Sequence, residues 1–249
     1  MSGHASVHAT SWRSAEAGEV YERGRPGYPT DAGTFIADDL GLGAPARVLD
    51  LAAGTGKLTR ALAAGGSRVL AAEPMPGMVA QLRGAVPGVP VVAARAEHLP
   101  LAAGRLDGIT VAQAFHWFDA PAAITEANRV LRAGGHLVLV WNKRDVSVPW
   151  VAEMSRVLDR YERLAPRGDM DRWQEAFGAT DGFTPLARRA FHHEHVLPDL
   201  RDRVASMSFV LVLAEPERQA LLDEIDALVA GETEVRMPYD THVYWCTRR

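Results

Sequence analysis

The stretch RVLDLAAGTGKL, Arg47 to Leu58, ends a short apolar run on an acid, Asp50, and passes at once into the small residues Gly54, Thr55 and Gly56. Val48, Leu49 and Leu51 have the composition of a buried parallel strand, and the periodicity from Lys57 to Ala64 predicts a helix. Glycines between a strand and a helix let a ligand approach the backbone, and the helix N-terminus adds unpaired N–H donors. Such an arrangement cradles a nucleotide-type cofactor. A second apolar run, Arg68 to Ala72, ends on Glu73, near the ~20-residue spacing at which an acid binds a ribose diol in a doubly wound sheet.

Asp50 decides which nucleotide fits. A pyrophosphate over the turn would face this carboxylate, so the acid argues against NAD. The spacing D-x-A-x-G-x-G also departs from G-x-G-x-x-G, with Ala52 at the first small position. A P-loop fails because Gly56-Lys57 is followed by Leu58 rather than Ser or Thr. Asp50 suits a ligand carrying an ammonium group. S-adenosylmethionine has one on its methionine portion and leaves its ribose for Glu73.

Further candidates lie where later strands end. Asp107 to Ala112 reads as a fourth strand and runs into Gln113, Phe115, His116, Trp117, Phe118 and Asp119. Aromatic rings beyond a parallel strand's carboxyl end stand at the crevice of a doubly wound sheet, and ring faces attract a methyl sulfonium as they attract any soft cation. The same rings would serve equally as a cap on the core. His116 titrates near neutral pH and is the best general-base candidate. After a third strand, Val89 to Ala93, a loop offers Ala96 and Glu97 to an adenine edge. Strand alternation puts His193 and His195 on one face and His192 on the other, which makes an edge strand a better reading than a metal site.

The elements that position these groups run strand, helix, strand in repetition and then change character. Met1 to Ala17 reads as a loosely held arm, and YERGRPGYP, Tyr21 to Pro29, as a rigid segment whose prolines break any helix. Thr30 to Leu40, Met75 to Ala85 and Ala120 to Leu131 are predicted helices, with Met75, Met78, Val79 and Leu82 as one apolar stripe. Arg132 to Gly135 reads as a turn before a fifth strand, His136 to Asn142. Helical periodicity follows over Trp150 to Ala165, Leu200 to Leu213 and Glu217 to Ala230, with strands at Phe191 to Leu197 and Thr241 to Thr247. This order indicates an α/β fold, a three-layer α/β/α sandwich.

At this point the chain resembles the class I S-adenosylmethionine-dependent methyltransferases of the small-molecule kind, type 11 and trans-aconitate methyltransferase-like. The resemblance covers most of the chain and rests on YERGRPGYP, VLDLAAGTGKLT, AAEPMPGM, AEHLPL, ITVAQAFHWFD and EANRVLRAGGHLVLVWN in that order. It implies a Rossmann-like, mostly parallel seven-stranded sheet of order 3-2-1-4-5-7-6 with a helical cap, all within one domain, residues 1–249. It also implies a lid arm at residues 10–30, closing over cofactor and substrate, and cap-forming insertions at residues 145–232. Tyr21, Arg25, Pro74 and Met78 thereby join the cofactor candidates Asp50, Ala52, Gly54, Thr55, Gly56, Glu73, Ala96, Glu97, Gln113, Phe115 and Trp117. Arg25 and His116 are the catalytic candidates: Arg25 would orient a carboxylate acceptor, and His116 would deprotonate a hydroxyl. The implied function is methyl transfer to a small molecule, O-methylation of a carboxylate or hydroxyl preferred. The alternatives are a binder of the cofactor that transfers nothing, and an NAD(P)-dependent oxidoreductase on the same sheet.

Composition narrows the partners. The 249 residues suffice for one large domain, and a formal charge of −4 argues against nucleic acid or an anionic membrane surface. A single cysteine, Cys246, excludes an internal disulfide and a thiolate metal cluster. No apolar stretch approaches the ~18 residues of a membrane span, so the expectation is a cytoplasmic monomer or homodimer without a metal. The heavy use of Ala, Arg and Gly reads as bacterial, from a high-G+C genome.

Overall fold

The computed structural model describes residues 15–162, 172–178, 181–197, 200–232 and 234–249. Seven strands form one sheet in the order β3-β2-β1-β4-β5-β7-β6. They are β1 Arg47–Leu51, β2 Arg68–Ala72, β3 Val91–Val92, β4 Leu106–Ala112, β5 Leu131–Arg144, β6 Ala187–Leu197 and β7 Val235–Thr247. Strands β1 to β5 pair in parallel, while β7 runs antiparallel to both β5 and β6. The order and directions implied by the resemblance are those observed.

Alternation along buried strands builds two apolar layers. Leu49, Leu137 and Leu139 pack on one face with Ile124, Ala127 and Val130 of helix α5, Ala120–Val130. Val48, Val138 and Val140 pack on the other with Leu58 and Leu62 of helix α3, Lys57–Ala64. Because successive side chains point to opposite faces, a strand covered on both sides must be apolar almost throughout, and β1 is. Truncating Leu49, which has no exposed surface, would cost about 2–5 kcal/mol. A third cluster stands apart from the sheet's centre. It joins Met154 and Leu158 of α6, Pro149–Glu162, to Val204 of α8, Leu200–Ala205, and to Leu221 and Ile225 of α9, Glu215–Leu228. Met237 and Tyr239, near the start of β7, complete it.

The last three residues of the expected arm, Ala15 to Ala17, open a helix. Residues 1–14, most of that arm, lie outside the described residues, but α1 spans Ala15–Gly24 and carries Tyr21 and Glu22. It packs against α4, Pro76–Ala85, and against α8. A Cβ on Gly24 would meet the backbone oxygen of Asp202 at 2.4 Å, so this contact with α8 requires glycine.

Other boundaries differ for identifiable reasons. The helix expected over Thr30 to Leu40 is a short α2, Thr30–Thr34, followed by a π turn, Phe35–Asp39, which brings the neighbours Phe35 and Ile36 both inward. The turn expected at Arg132 to Gly135 is absorbed into β5, with a register shift before Gly108 pairs with His136. β3 is only two residues long, preceded by Pro90, which has no N–H to donate. The helix expected over Leu200 to Leu213 stops at Ala205, where the Ser206 hydroxyl donates back to the Arg203 carbonyl at 2.7 Å, and only a 3-10 turn, Val210–Val212, follows. β6 and β7 pair over their whole length, from Ala187 with Trp245 to Leu197 with Val235, so β7 begins six residues before the expected Thr241. Pro238 hid that extension. Its nitrogen faces the β5 side, where regular pairing has ended at Arg144 and Tyr239, so its missing N–H costs no bond to β6.

Candidate functional site

A cleft opens over the carboxyl ends of β1, β4 and β5, with α1 and the segment after it as a roof. Of the sequence candidates it brings together Tyr21, Arg25, Asp50, Ala52, Gly54, Thr55 and Gln113. Two of these are non-glycine residues in the left-handed region, Ala52 at φ 55° and Gln113 at φ 57°. Such backbone costs of order 1–3 kcal/mol per residue and gathers where a ligand must be met. Gly54 is left-handed at φ 59°, and nothing lies within 4 Å of where its Cβ would be. A ligand can reach the backbone there.

The acids beneath the turn are both engaged. Glu73 accepts the backbone N–H of Gly54 and of Met75, each at 2.9 Å, so it holds the turn in place whatever else it binds. Burial raises its pKa. Asp50, 1% exposed, accepts the hydroxyls of Thr59 at 2.6 Å and Thr110 at 2.9 Å. Burial still pushes its carboxyl up to about 6, because two neutral hydroxyls replace water incompletely and no cation stands beside it among the described residues. A ligand ammonium would supply that cation. The strand that carries Asp50 is buried on both faces, so the carboxylate can open only into the cleft.

The roof is fastened by charge. The Glu22 carboxylate of α1 accepts from the Thr55 hydroxyl at 2.5 Å and from Arg60 at 2.7 Å, and lies 3.3 Å from the Lys57 ammonium. Lys57 also donates to the Glu22 carbonyl at 2.8 Å. These cations and hydroxyls hold the Glu22 carboxyl below its ordinary pKa against the opposing effect of burial. Farther along, the Asn142 amide donates to the Gly27 carbonyl at 2.8 Å while its oxygen accepts from the Thr241 hydroxyl at 2.6 Å. Arg25 lies over the Tyr21 ring, 5.2 Å from its centroid, and donates to the Ser206 carbonyl at 2.9 Å. Its Nε is buried and makes no hydrogen bond.

Other candidates sit outside the cleft lining. Met78, Ala96 and Phe115 are buried in the core, Phe115 against Phe118, Trp173 and Phe177. Gly56 is the left-handed N-cap of α3, where a Cβ would come within 3.3 Å of Leu82 and Val86. Glu97 accepts the backbone N–H of Asp119 at 3.0 Å and thereby links two loops, while Pro74 is exposed. His116 and Trp117 form an aromatic shelf, their ring centroids 4.5 Å apart, with His116 5.2 Å from Trp141. On β6, His193 and His195 face inward and His192 outward, and the strand is the sheet's edge. His193 stacks on Tyr239, 5.8 Å between centroids, and no cluster able to hold a metal occurs among the described residues.

Sequence reading missed Glu22, Lys57, Asn142 and Arg203. Lys57 and Asn142 were visible as the first residue of a helix after a glycine turn and the last of an apolar strand. Nothing in the sequence around Arg203 marks it, because it reaches the cleft from a cap helix 153 positions after Asp50.

Comparison with known proteins adds independent findings. A family profile described as a methyltransferase domain matches residues 49–139, from β1 into β5. An uncharacterized methyltransferase of Mycobacterium tuberculosis strain H37Rv, Rv3342, is 40% identical over 213 residues, covering 85% of this chain and 83% of its own. The methyltransferase-like C25B8.10 of Schizosaccharomyces pombe is 34% identical over 233 residues, covering 90% and 91%. Among solved structures, a candidate type II methyltransferase of Anaeromyxobacter dehalogenans shares the fold with a TM-score of 0.65 at 22% identity, over 90% of this chain and 97% of that one.

Proposed function

The chain belongs to the class I S-adenosylmethionine-dependent methyltransferases, and from that premise we propose that it moves the methyl group to an oxygen of a small molecule, a carboxylate or a hydroxyl. The cofactor is S-adenosylmethionine, and the described residues fit it. Asp50 is a buried acid without a cation, and Gly54 leaves open space at the turn. The single observation that carries the acceptor reading is Arg25, a guanidinium held in the same cleft as Asp50 with a buried N–H unused.

When bound, the cofactor supplies a methyl group already activated by the positive sulfur, so the protein's work is alignment and exclusion of water. Alignment alone can supply roughly 7–11 kcal/mol of a barrier in favourable cases. Asp50 would take the ammonium and Glu73 the ribose, with Thr55, Pro74 and Glu97 beside the rest of the nucleoside, while Gly56, Met78 and Ala96 pack behind them. The α1 roof excludes water, tied down by Glu22 and Asn142. Gln113 and Trp117 would border the transfer path, backed by Phe115 in the core, and Tyr21 with Arg25 would face the acceptor. His116 would take the proton of a hydroxyl acceptor, whereas a carboxylate needs no base.

A cofactor-consumption assay against matched acids, phenols, alcohols and amines tests the reading. Methyl esters or ethers are the expected products. Methylation confined to nitrogen or carbon would overturn the oxygen assignment and leave the family standing.

A further inference from the structure

Arg203, on α8, lines the cleft and is only 5% exposed. Its Nε donates to the Tyr239 hydroxyl at 2.9 Å, and that hydroxyl in turn donates to the Met237 sulfur at 3.1 Å, so the guanidinium is fixed from behind. Its Nη1 is buried and makes no hydrogen bond. Arg25 lines the same cleft with its own buried, unbonded Nε. Neither guanidinium forms an ion pair among the described residues. Arg25 is pushed down to about 10 by burial and by the neighbouring Arg203 and Arg144. A buried guanidinium beside a partly buried one, with no anion against either among the described residues, costs desolvation free energy that a bound anion would offset.

We propose that the unused N–H groups of Arg203 and Arg25 form a seat for a carboxylate of the acceptor, and that this carboxylate is the handle by which the acceptor is held rather than the oxygen that is methylated. The inference rests on the methyltransferase reading above. Two N–H donors match the two oxygens of one carboxylate. The position favours the acceptor over the cofactor. Arg203 reaches the cleft from α8, outside the glycine turn and its flanking strands, and is held from behind by Tyr239 of β7. A carboxylate held by two guanidiniums has one lone pair on each oxygen engaged and its charge offset, which weakens it as a nucleophile. The acceptor class is therefore an acid bearing a second nucleophilic oxygen.

The test uses the full chain saturated with S-adenosylhomocysteine and titrated calorimetrically with benzoate, hexanoate and succinate, each against its neutral amide. At least one acid should bind tenfold or more tighter than its amide. Arg203→Met should abolish that preference while S-adenosylhomocysteine affinity stays within twofold, and Arg203→Lys should restore part of it. Acids that bind no better than their amides in the native protein would overturn the seat, whether or not the variants fold. If Arg203→Met weakens S-adenosylmethionine but not its decarboxylated analogue, the seat holds the cofactor's own carboxylate and the proposal fails. Formation of methyl benzoate would overturn the handle assignment alone. Absence of any S-adenosylhomocysteine binding by the native chain would instead strike the methyltransferase reading beneath it.

Discussion

At the β1–β2 end of the cleft the acids are met by the chain itself, Glu73 by two backbone N–H groups and Asp50 by two hydroxyls, whereas at the β5–β7 end Arg203 and Arg25 keep buried N–H groups unused. The first end needs little from its ligand beyond one ammonium. The second is incomplete without an anion. Under the function and seat proposed above, a cofactor common to a whole family is met by groups set rigidly in the sheet, and a variable acceptor by groups carried on α8 and the segment after α1. The third hydrophobic cluster, with Val204, Leu221 and Met237, allows α8 to be repacked without disturbing β1.

The largest expected effect probes the first end through pH. Asp50 titrates at about 6 in the fold against an ordinary 3.8. Between those values the unfolded chain has released a proton that the folded chain retains. Stability from this group is therefore greatest below pH 4 and is lost as pH rises through 6, on the order of 3 kcal/mol in all. Unfolding titrations should show that slope in the ligand-free protein and not in Asp50→Asn. A matching slope in the variant would show that Asp50 is not its source.

Next in size is binding at the same carboxylate. Asp50→Asn keeps the shape and removes the charge, so S-adenosylmethionine affinity at pH 7 should fall by about 1.5–3 kcal/mol, roughly 10- to 150-fold, as measured by calorimetry. Unaltered affinity would erase the electrostatic contrast between the two ends.

Gly24→Ala tests whether roof and cap move together. The new Cβ would press on the Asp202 backbone, so α1 and α8 must separate, at about 1–3 kcal/mol. Hydrogen exchange should quicken in both helices and remain unchanged in β1 and β4. Faster exchange in α1 alone would mean that α8 does not depend on the roof.

The smallest effect concerns the clasp. Glu22 is 29% exposed at its side chain, and each of its ion pairs is worth about 0.2–1 kcal/mol. Glu22→Ala should scarcely lower the melting temperature, yet it should speed exchange in Ala15–Gly24. Adding cofactor should slow that exchange again in the native chain. Identical exchange in Glu22→Ala and the native chain would show that the roof is held by Asn142, Arg25 and the α8 contact without the Glu22 clasp.

The same division separates what the sequence discloses from what it hides. Helix α3 and strand β2 begin and end at the residues expected, because a glycine turn, a buried apolar run and an acid each have local physical causes. The order of all seven strands followed from the family resemblance. At the other end, β7 was shortened by Pro238, whose harmlessness depends on where β5 stops pairing. Helix α8 was read too long because the break at Ser206 depends on one hydroxyl reaching one carbonyl. The strand end makes Phe115 a cofactor candidate and the resemblance adds Met78, but both side chains are buried in the core, since an aromatic beyond a strand end can turn either way and Met78 lies on its helix's apolar stripe. Arg203 was invisible for a stricter reason. Its environment is made by α1 and β7, each far from it in the chain.

The roof is tied at both ends of the cleft, by Glu22 to the start of α3 and by Arg25 to the Ser206 carbonyl beside α8. One door therefore serves two rooms. If both ties must break before either ligand escapes, spent cofactor and methylated acceptor leave through a single opening. The clock of a catalytic cycle is then set by how often a ten-residue helix lifts, rather than by how fast a methyl group crosses between two atoms.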